Sequence, residues 1–232
     1  MTYRVFIGTM YSGENEFPAS VVSVRMQKNV EIEHYFVSGK TEIGATTDLY
    51  AKWTSIKHEF DAFVQVDADV ELPTNDVIFR AVDSLLKNHP DCNSTIFPLK
   101  DWLTKTSIMG LNVYTPSVEF VTPSKPGWTD RSQINMNKFV ESEVIALHSQ
   151  NPSFQQSFHF GFNRGIKKRF EQREQILKAY KSAPDDRRII AIQGFDASHR
   201  YTDYLVSSYS HDVFREEYVK ACIDFPTFKA KL

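Results

Sequence analysis

The amino-acid sequence predicts an α/β fold: a mixed sheet, parallel in its N-terminal half with antiparallel additions, followed by a helical C-terminal tail. Three observations predict it. Short apolar runs rich in β-branched and aromatic residues alternate with helical periodicities over residues 4–89. From Thr95 to Val121 the strand patterns follow one another across short turns. From Pro152 onward the chain is mostly helical, with a strongly charged stretch from Arg164 to Lys181.

In order, Arg4–Gly8 reads as the first strand, ending at Gly8-Thr9, and Met10–Asn15 as a loop of small and polar groups. A helix follows with Phe17, Val21 and Val24 at i, i+4 and i+7, capped by Asn15 or Glu16 with Pro18 in its first turn. Glu31–Val37 is the second strand. Thr46–His58 is helical, with Leu49, Trp53 and Ile56 on one face. Phe63–Val66, introduced by Asp61, is a short buried strand that runs into Asp67-Ala68-Asp69, and Pro73–His89 is the next helix. A β-α-β-α-β-α order implies a parallel sheet covered by helices, with ligands gathered at the carboxyl ends of the strands. Thr9, Ser38 and Asp67 all fall at those ends. Thr95–Leu99, Ile108–Tyr114 and Val118–Val121 are expected as antiparallel additions, residues 123–137 as a long loop, and Val144–Leu147 as a buried strand ending at His148.

Bulk composition excludes several classes. With 232 residues, 41% hydrophobic and 24% charged, the chain can bury a sizeable core and is not disordered. A net charge of -2 gives no reason to expect nucleic acid as partner. Cys92 and Cys222 match no metal or redox spacing, and no apolar run reaches the ~20 residues that span a bilayer. The expectation is a soluble cytoplasmic protein, with peripheral contact to a membrane left open. Neither G-x-G-x-x-G, G-x-x-x-x-G-K-[ST] nor G-x-S-x-G occurs, which argues against dinucleotide enzymes, P-loop NTPases and α/β-hydrolases.

Asp67-Ala68-Asp69 is the stretch most suited to chemistry. Two carboxylates one residue apart at the mouth of a buried strand repel, so one takes a proton or a cation sits between them. Mn²⁺ or Mg²⁺, which prefer oxygen ligands and bind substrate phosphates, suit such a pair. The competing reading is a surface turn, where aspartate is common. His148, also at a strand end, is a candidate to complete a cation site, with His159 as its rival and His199 and His211 as weaker ones. Arg164, Lys167, Lys168 and Arg169 form a basic run that reads either as a solvated helix face or as a contact for a diphosphate. Asp130, in Trp128-Thr129-Asp130, is a candidate general base toward an acceptor hydroxyl, with Glu119 and Glu141 as alternatives. Trp53 and Trp102 read as core.

The order strand, Thr9-x-x-Ser12-Gly13-Glu14, helix, strand, and then Phe60-Asp61-Ala62-Phe63-Val64-Gln65-Val66-Asp67-Ala68-Asp69 resembles the GT-A glycosyltransferases, particularly the bacterial-type family 2-like enzymes. The segment from Ala146 to Gly161 is similar to a stretch in small members of that group, so the resemblance covers residues 3–170. It implies a Rossmann-type GT-A sheet in one catalytic domain over residues 1–232, with a nucleotide-binding half (1–100), an acceptor and metal-completing part (101–170) and a helical extension (171–232). It further implies a nucleotide-sugar donor, such as a UDP-sugar, and a glycan or lipid-linked acceptor. Asp67 would lie on the nucleotide side while also able to ligate the metal, Asp69 on the metal side, and His148 would complete the metal site. Thr9, Ser12, Glu14 and Ser38 would line the nucleoside, and Arg164 would contact the donor. One departure stands out: no x-Glu-Asp base motif follows the antiparallel strands, so the base and the inverting or retaining outcome stay open. The rival readings are a nucleotidyltransferase, whose glycine- and lysine-bearing loop is not evident, and a non-catalytic nucleotide-sugar-binding domain.

Overall fold

The computed structural model describes residues 2–123 and 133–232, and their contacts divide the chain into two compact units. The first comprises Met1–Lys100 and Ser107–Gln150, the second Asp101–Thr106 and Asn151–Leu232. The expected 101–170 segment is thus shared between them, with the chain passing from one to the other after Gln150.

The first unit holds a mixed sheet built from β1 (Tyr3–Tyr11), β2 (Val30–Ser38), β3 (Ala62–Gln65), β4 (Val70–Glu71), β5 (Ser94–Asp101), β6 (Ser107–Tyr114), β7 (Lys138–Val140) and β8 (Ala146–His148). Their order is β2-β1-β3-β6-β5-β8-β4, with β7 pairing beside β5. β1 runs parallel to both β2 and β3, and β6 joins β3 antiparallel, so the parallel half with antiparallel additions is observed. Alternate residues face opposite ways along a strand. Val5, Ile7 and Val64 therefore enter one apolar layer with Val24, Ile78 and Val82, while Phe6 and Phe63 enter another with Leu49 and Trp53. The helices that supply these layers are α1 (Phe17–Arg25), α2 (Glu42–Ile56) and α3 (Val77–Asp83), the last prolonged by a π-helical turn at Ser84–Asn88.

Several elements differ from expectation for physical reasons, among them α2, which starts at Glu42 rather than Thr46 because the Thr41 side chain caps it by accepting from the Gly44 N–H. β1 does not stop at Gly8 but pairs with β2 as far as Tyr11 and Ser38. Gly8 serves close approach rather than a turn, since a Cβ there would lie 2.3 Å from Leu49 Cδ1. α3 begins at Val77 rather than Pro73, because the Thr74 and Asn75 carbonyls are taken by the Gln27 side chain and the Lys28 N–H. Val118–Val121 contributes only an isolated bridge, Phe120 to Gln133. The additional strand is β7 instead, whose residues are all exposed and so carry no alternating apolar signal.

In the second unit, α4 (Phe154–Ile166), α5 (Phe170–Ser182), α6 (Asp186–Ser198) and α7 (Asp212–Lys229) follow in turn. Ser153 and Gln156 form a reciprocal capping box that starts α4. α4 and α6 meet through glycines: a Cβ on Gly161 would fall 1.8 Å from the Ala191 carbonyl oxygen, and one on Gly194 2.3 Å from that of Phe158. Leu103 is buried with Ile176, Ala191 and Ile192, and the Arg188 guanidinium ties down the Trp102 and Leu103 carbonyls. Among the described residues no helix is long and apolar enough to cross a membrane.

Candidate active site at the β3–β4 turn

The turn from Val66 to Asp69 lies at the carboxyl end of β3 and is closed by the Val70 N–H donating to the Asp67 carbonyl (3.0 Å). It is followed at once by β4, which pairs antiparallel with β8 in the register Val70–His148 and Glu71–Leu147. That register is why His148, distant in sequence, arrives beside Asp69. Its Nε2 lies 3.2 Å from Asp69 Oδ2, and both side chains are largely buried. Ser149 continues the contact, its N–H donating to the Asp69 carbonyl (2.8 Å) and its hydroxyl to Asp69 Oδ2 (2.7 Å).

The two aspartates are held in opposite electrostatic conditions. Asp67 is pushed up to about 6, chiefly by burial and then by the negative charge of Asp69, with Glu14 adding to the repulsion. A hydrogen bond from Gln65 Nε2 to Asp67 Oδ1 (3.2 Å) and the charge of His148 oppose the rise without cancelling it. For Asp69, burial also disfavours the charge, but the charge and hydrogen bond of His148 and the Ser149 hydroxyl outweigh it and hold the carboxyl below its usual range. The fold therefore favours the charged form of Asp69 and disfavours that of Asp67.

The first loop approaches this pair. Glu14 is fixed by Ser12, which donates both its N–H and its hydroxyl to the Glu14 carboxylate, and the Glu14 charge is felt at Asp67. α1 braces the turn through the Ser20 hydroxyl, which donates to the Asp67 carbonyl (3.4 Å). Ser38 ends β2 in register with Tyr11 and is exposed. Thr9 is different: it is fully buried, and its hydroxyl donates to the Val66 carbonyl (2.7 Å) and contacts His34 Nε2 (2.9 Å). Since that hydroxyl spends its one proton on Val66, His34 donates to it through Nε2, and burial first and Arg25 second lower His34 to about 4, which keeps the ring neutral at pH 7.

His34 carries a testable pH effect. In the unfolded chain it titrates near 6.5, whereas in the fold it resists protonation until about pH 4. Between those values the unfolded state binds more protons, so stability falls as pH drops from 6.5 toward 4. Discounted for its partial exposure, the loss by pH 5 is about 1 kcal/mol. Urea midpoints of wild type and His34→Gln at pH 7 and pH 5 check this, the variant showing the smaller drop.

The remaining candidates are placed as follows. Arg164 belongs to the second unit, where it is 7% exposed and donates from Nε to Gln172 Oε1 (2.9 Å) and from Nη2 to the fully buried Asp101 carboxylate (3.2 Å). Its guanidinium is thus committed to a buried ion pair. His159 also lies in the second unit, stacked on Tyr209 with ring centroids 4.4 Å apart. Asp130 lies outside the described residues. The Glu119 N–H donates to Asn135 Oδ1, and Glu141 accepts from the Ser84 hydroxyl and sits 3.4 Å from His89. Two residues that sequence reasoning passed over belong to the site. Gln65 is the last residue of β3 and stands two positions before Asp67, a spacing that returns an extended chain to the same face, and could have been found from that period. Ser149 had no signal beyond following His148.

Among the described residues no group of three or more His, Cys, Asp or Glu side chains is arranged to hold a metal ion. Among the described residues there is thus no closed protein cage, and Mg²⁺ and Mn²⁺ do not require one, since they take one or two carboxylates and fill the shell from phosphates and water. The donors present fit that mode. Asp69 Oδ2 and His148 Nε2 are 3.2 Å apart. The edge of an octahedron with bonds of about 2.1 Å is about 3 Å. Asp67 supplies the further, unsatisfied charge.

No protein-family model matches the chain, and no curated protein matches it in sequence. Among solved structures that align with it is the mannosyltransferase PcManGT from Pyrobaculum calidifontis in complex with GDP-Man and Mn²⁺, 11% identical, covering 99% of this chain and 84% of that one, with a TM-score of 0.47. A likeness of that size carries no argument about substrate or metal.

Proposed function

We propose that the β3–β4 turn binds a nucleoside-diphosphate sugar and that the protein is a metal-dependent glycosyltransferase acting on a hydroxyl of a glycan or lipid-linked acceptor. The observation that carries this reading is the unequal aspartate pair at the carboxyl end of the parallel strands: Asp67 raised and uncompensated, Asp69 held low by His148 and Ser149. A site with a surplus negative charge and oxygen donors favours a divalent cation, and the cation in turn favours a diphosphate. In this reading Asp69 and His148 hold the ion and Asp67 faces the nucleotide side. Bound there, Mn²⁺ or Mg²⁺ supplies Lewis-acid stabilisation of the charge that grows on the departing nucleoside diphosphate.

The protein's own groups do the rest. Ser12 locks Glu14 so that the first loop keeps one shape along the nucleoside, and exposed Ser38 is available near the base. Thr9 acts at one remove, its buried hydroxyl tying β1 to the Val66 carbonyl at the root of the turn. Asp130 is the proposed base toward the acceptor hydroxyl, the role for which a carboxylate within hydrogen-bond reach is needed.

The test is turnover without acceptor. Incubation with UDP-, GDP- and dTDP-sugars in Mn²⁺ is expected to release nucleoside diphosphate slowly from one donor class, with EDTA stopping the release. Pyrophosphate released from a nucleoside triphosphate and a sugar phosphate would instead identify a nucleotidyltransferase. Tight binding of a nucleotide sugar with no release, even with acceptors present, would identify a binding domain.

A further inference from the structure

We infer that Ser149 is a positioning residue that holds the Asp69 carboxylate in the orientation in which it would meet a cation, an inference that rests on the glycosyltransferase reading above. Ser149 is fully buried and has φ 51, a left-handed backbone that residues with a Cβ adopt only at a cost. In an extended strand, consecutive side chains point to opposite faces. Here His148 and Ser149 are consecutive, yet both reach the same atom, Asp69 Oδ2, at 3.2 and 2.7 Å. The left-handed turn is what makes this convergence possible, because it swings the chain out of the β4–β8 ladder directly after His148.

The consequence is a clamp on one side of the carboxylate. The Ser149 N–H holds the Asp69 carbonyl while its hydroxyl holds Oδ2, so backbone and side chain of Asp69 are fixed by one residue. With a cation held by Asp69 and His148, the Ser149 hydroxyl on Oδ2 would keep the plane of the carboxylate from turning. Partners of this kind, hydrogen-bonded to a ligand rather than to the metal, typically account for about 10–100-fold in metal affinity. The functional reading also explains why an unfavourable φ stands at a serine rather than at a glycine: glycine would relieve the backbone but lose the hydroxyl.

The experiment uses the full chain with Ser149→Gly and Ser149→Ala. Free Mn²⁺ is followed by its electron paramagnetic resonance signal with UDP or GDP present, and thermal unfolding is recorded without metal. Ser149→Gly is expected to unfold at the wild-type temperature or above it, because its backbone accepts the left-handed turn, and yet to bind Mn²⁺ at least about 10-fold more weakly. Ser149→Ala is expected to bind as weakly and to unfold at a lower temperature. A merely structural serine would move metal affinity and unfolding together. Wild-type Mn²⁺ affinity in both variants overturns the inference while leaving the glycosyltransferase reading in place. Failure of the wild-type chain itself to bind Mn²⁺ with a nucleoside diphosphate overturns both.

Discussion

Asp69→Asn is expected to abolish metal-dependent donor binding, with a loss of about 100-fold or more, because it removes the charge on which His148, Ser149 and the cation all converge. The same change should destabilise the metal-free protein. Asp69 is held below the usual carboxylate range, so its folded form gains from ionisation. That gain is present above the unfolded value, near 4, and is lost as pH falls through the lower folded one. At pH 7 the variant leaves His148 facing an amide, and breaking a largely buried pair of this kind costs about 3–5 kcal/mol. Denaturant unfolding in EDTA gives the stability term, and donor titration in Mn²⁺ gives the binding term. Undiminished metal-dependent binding would move the metal elsewhere in the protein.

Asp67→Asn is expected to have the opposite effect on stability while still impairing binding. Asp67 is pushed up to about 6, first by burial and then by Asp69, so ionising it works against the fold. Its folded value lies above its unfolded one. The neutral carboxyl therefore costs nothing at low pH, and stability is lost as pH rises from about 4 through about 6. At pH 7 and in EDTA, the asparagine variant should be more stable by about 1–2 kcal/mol, a rise of a few degrees in Tm. Near pH 4 the gain should vanish, since wild type is then protonated as well. Donor binding in Mn²⁺ should fall all the same, because the surplus charge that attracts the cation is gone. A change that stabilises the protein and weakens its binding marks a site strained for use rather than a turn on the surface.

The contrast between these two aspartates shows how much the sequence could carry. Their place at the end of a buried strand was legible, because Phe63–Val66 is an apolar run with no helical period. So was His148 at the end of another, and the register Val70–His148 brings the two together. Their unequal electrostatic surroundings were not legible from spacing, since the pair differs only in what the fold sets beside each: Gln65 and Glu14 for Asp67, His148 and Ser149 for Asp69. Ser149 was hidden for the same reason, as a backbone turn that reverses side-chain alternation leaves no compositional mark. Gly8 misled in the other direction, reading as a strand end when its role is to admit Leu49 against the strand. Thr9 followed from it: placed at a strand end by the pattern, it proved internal, with its hydroxyl bonded to Val66. β7 escaped because exposed Lys138-Phe139-Val140 has no face to bury.

Calorimetric titration of the protein with UDP-, GDP- and dTDP-sugars, in Mn²⁺ and again in EDTA, tests the central claim most directly. The account predicts that one nucleotide class binds in Mn²⁺, that EDTA weakens its binding at least about 10-fold, and that Asp69→Asn in Mn²⁺ loses as much as wild type does in EDTA. Absence of binding by every nucleotide sugar, or binding indifferent to both EDTA and Asp69, would contradict it.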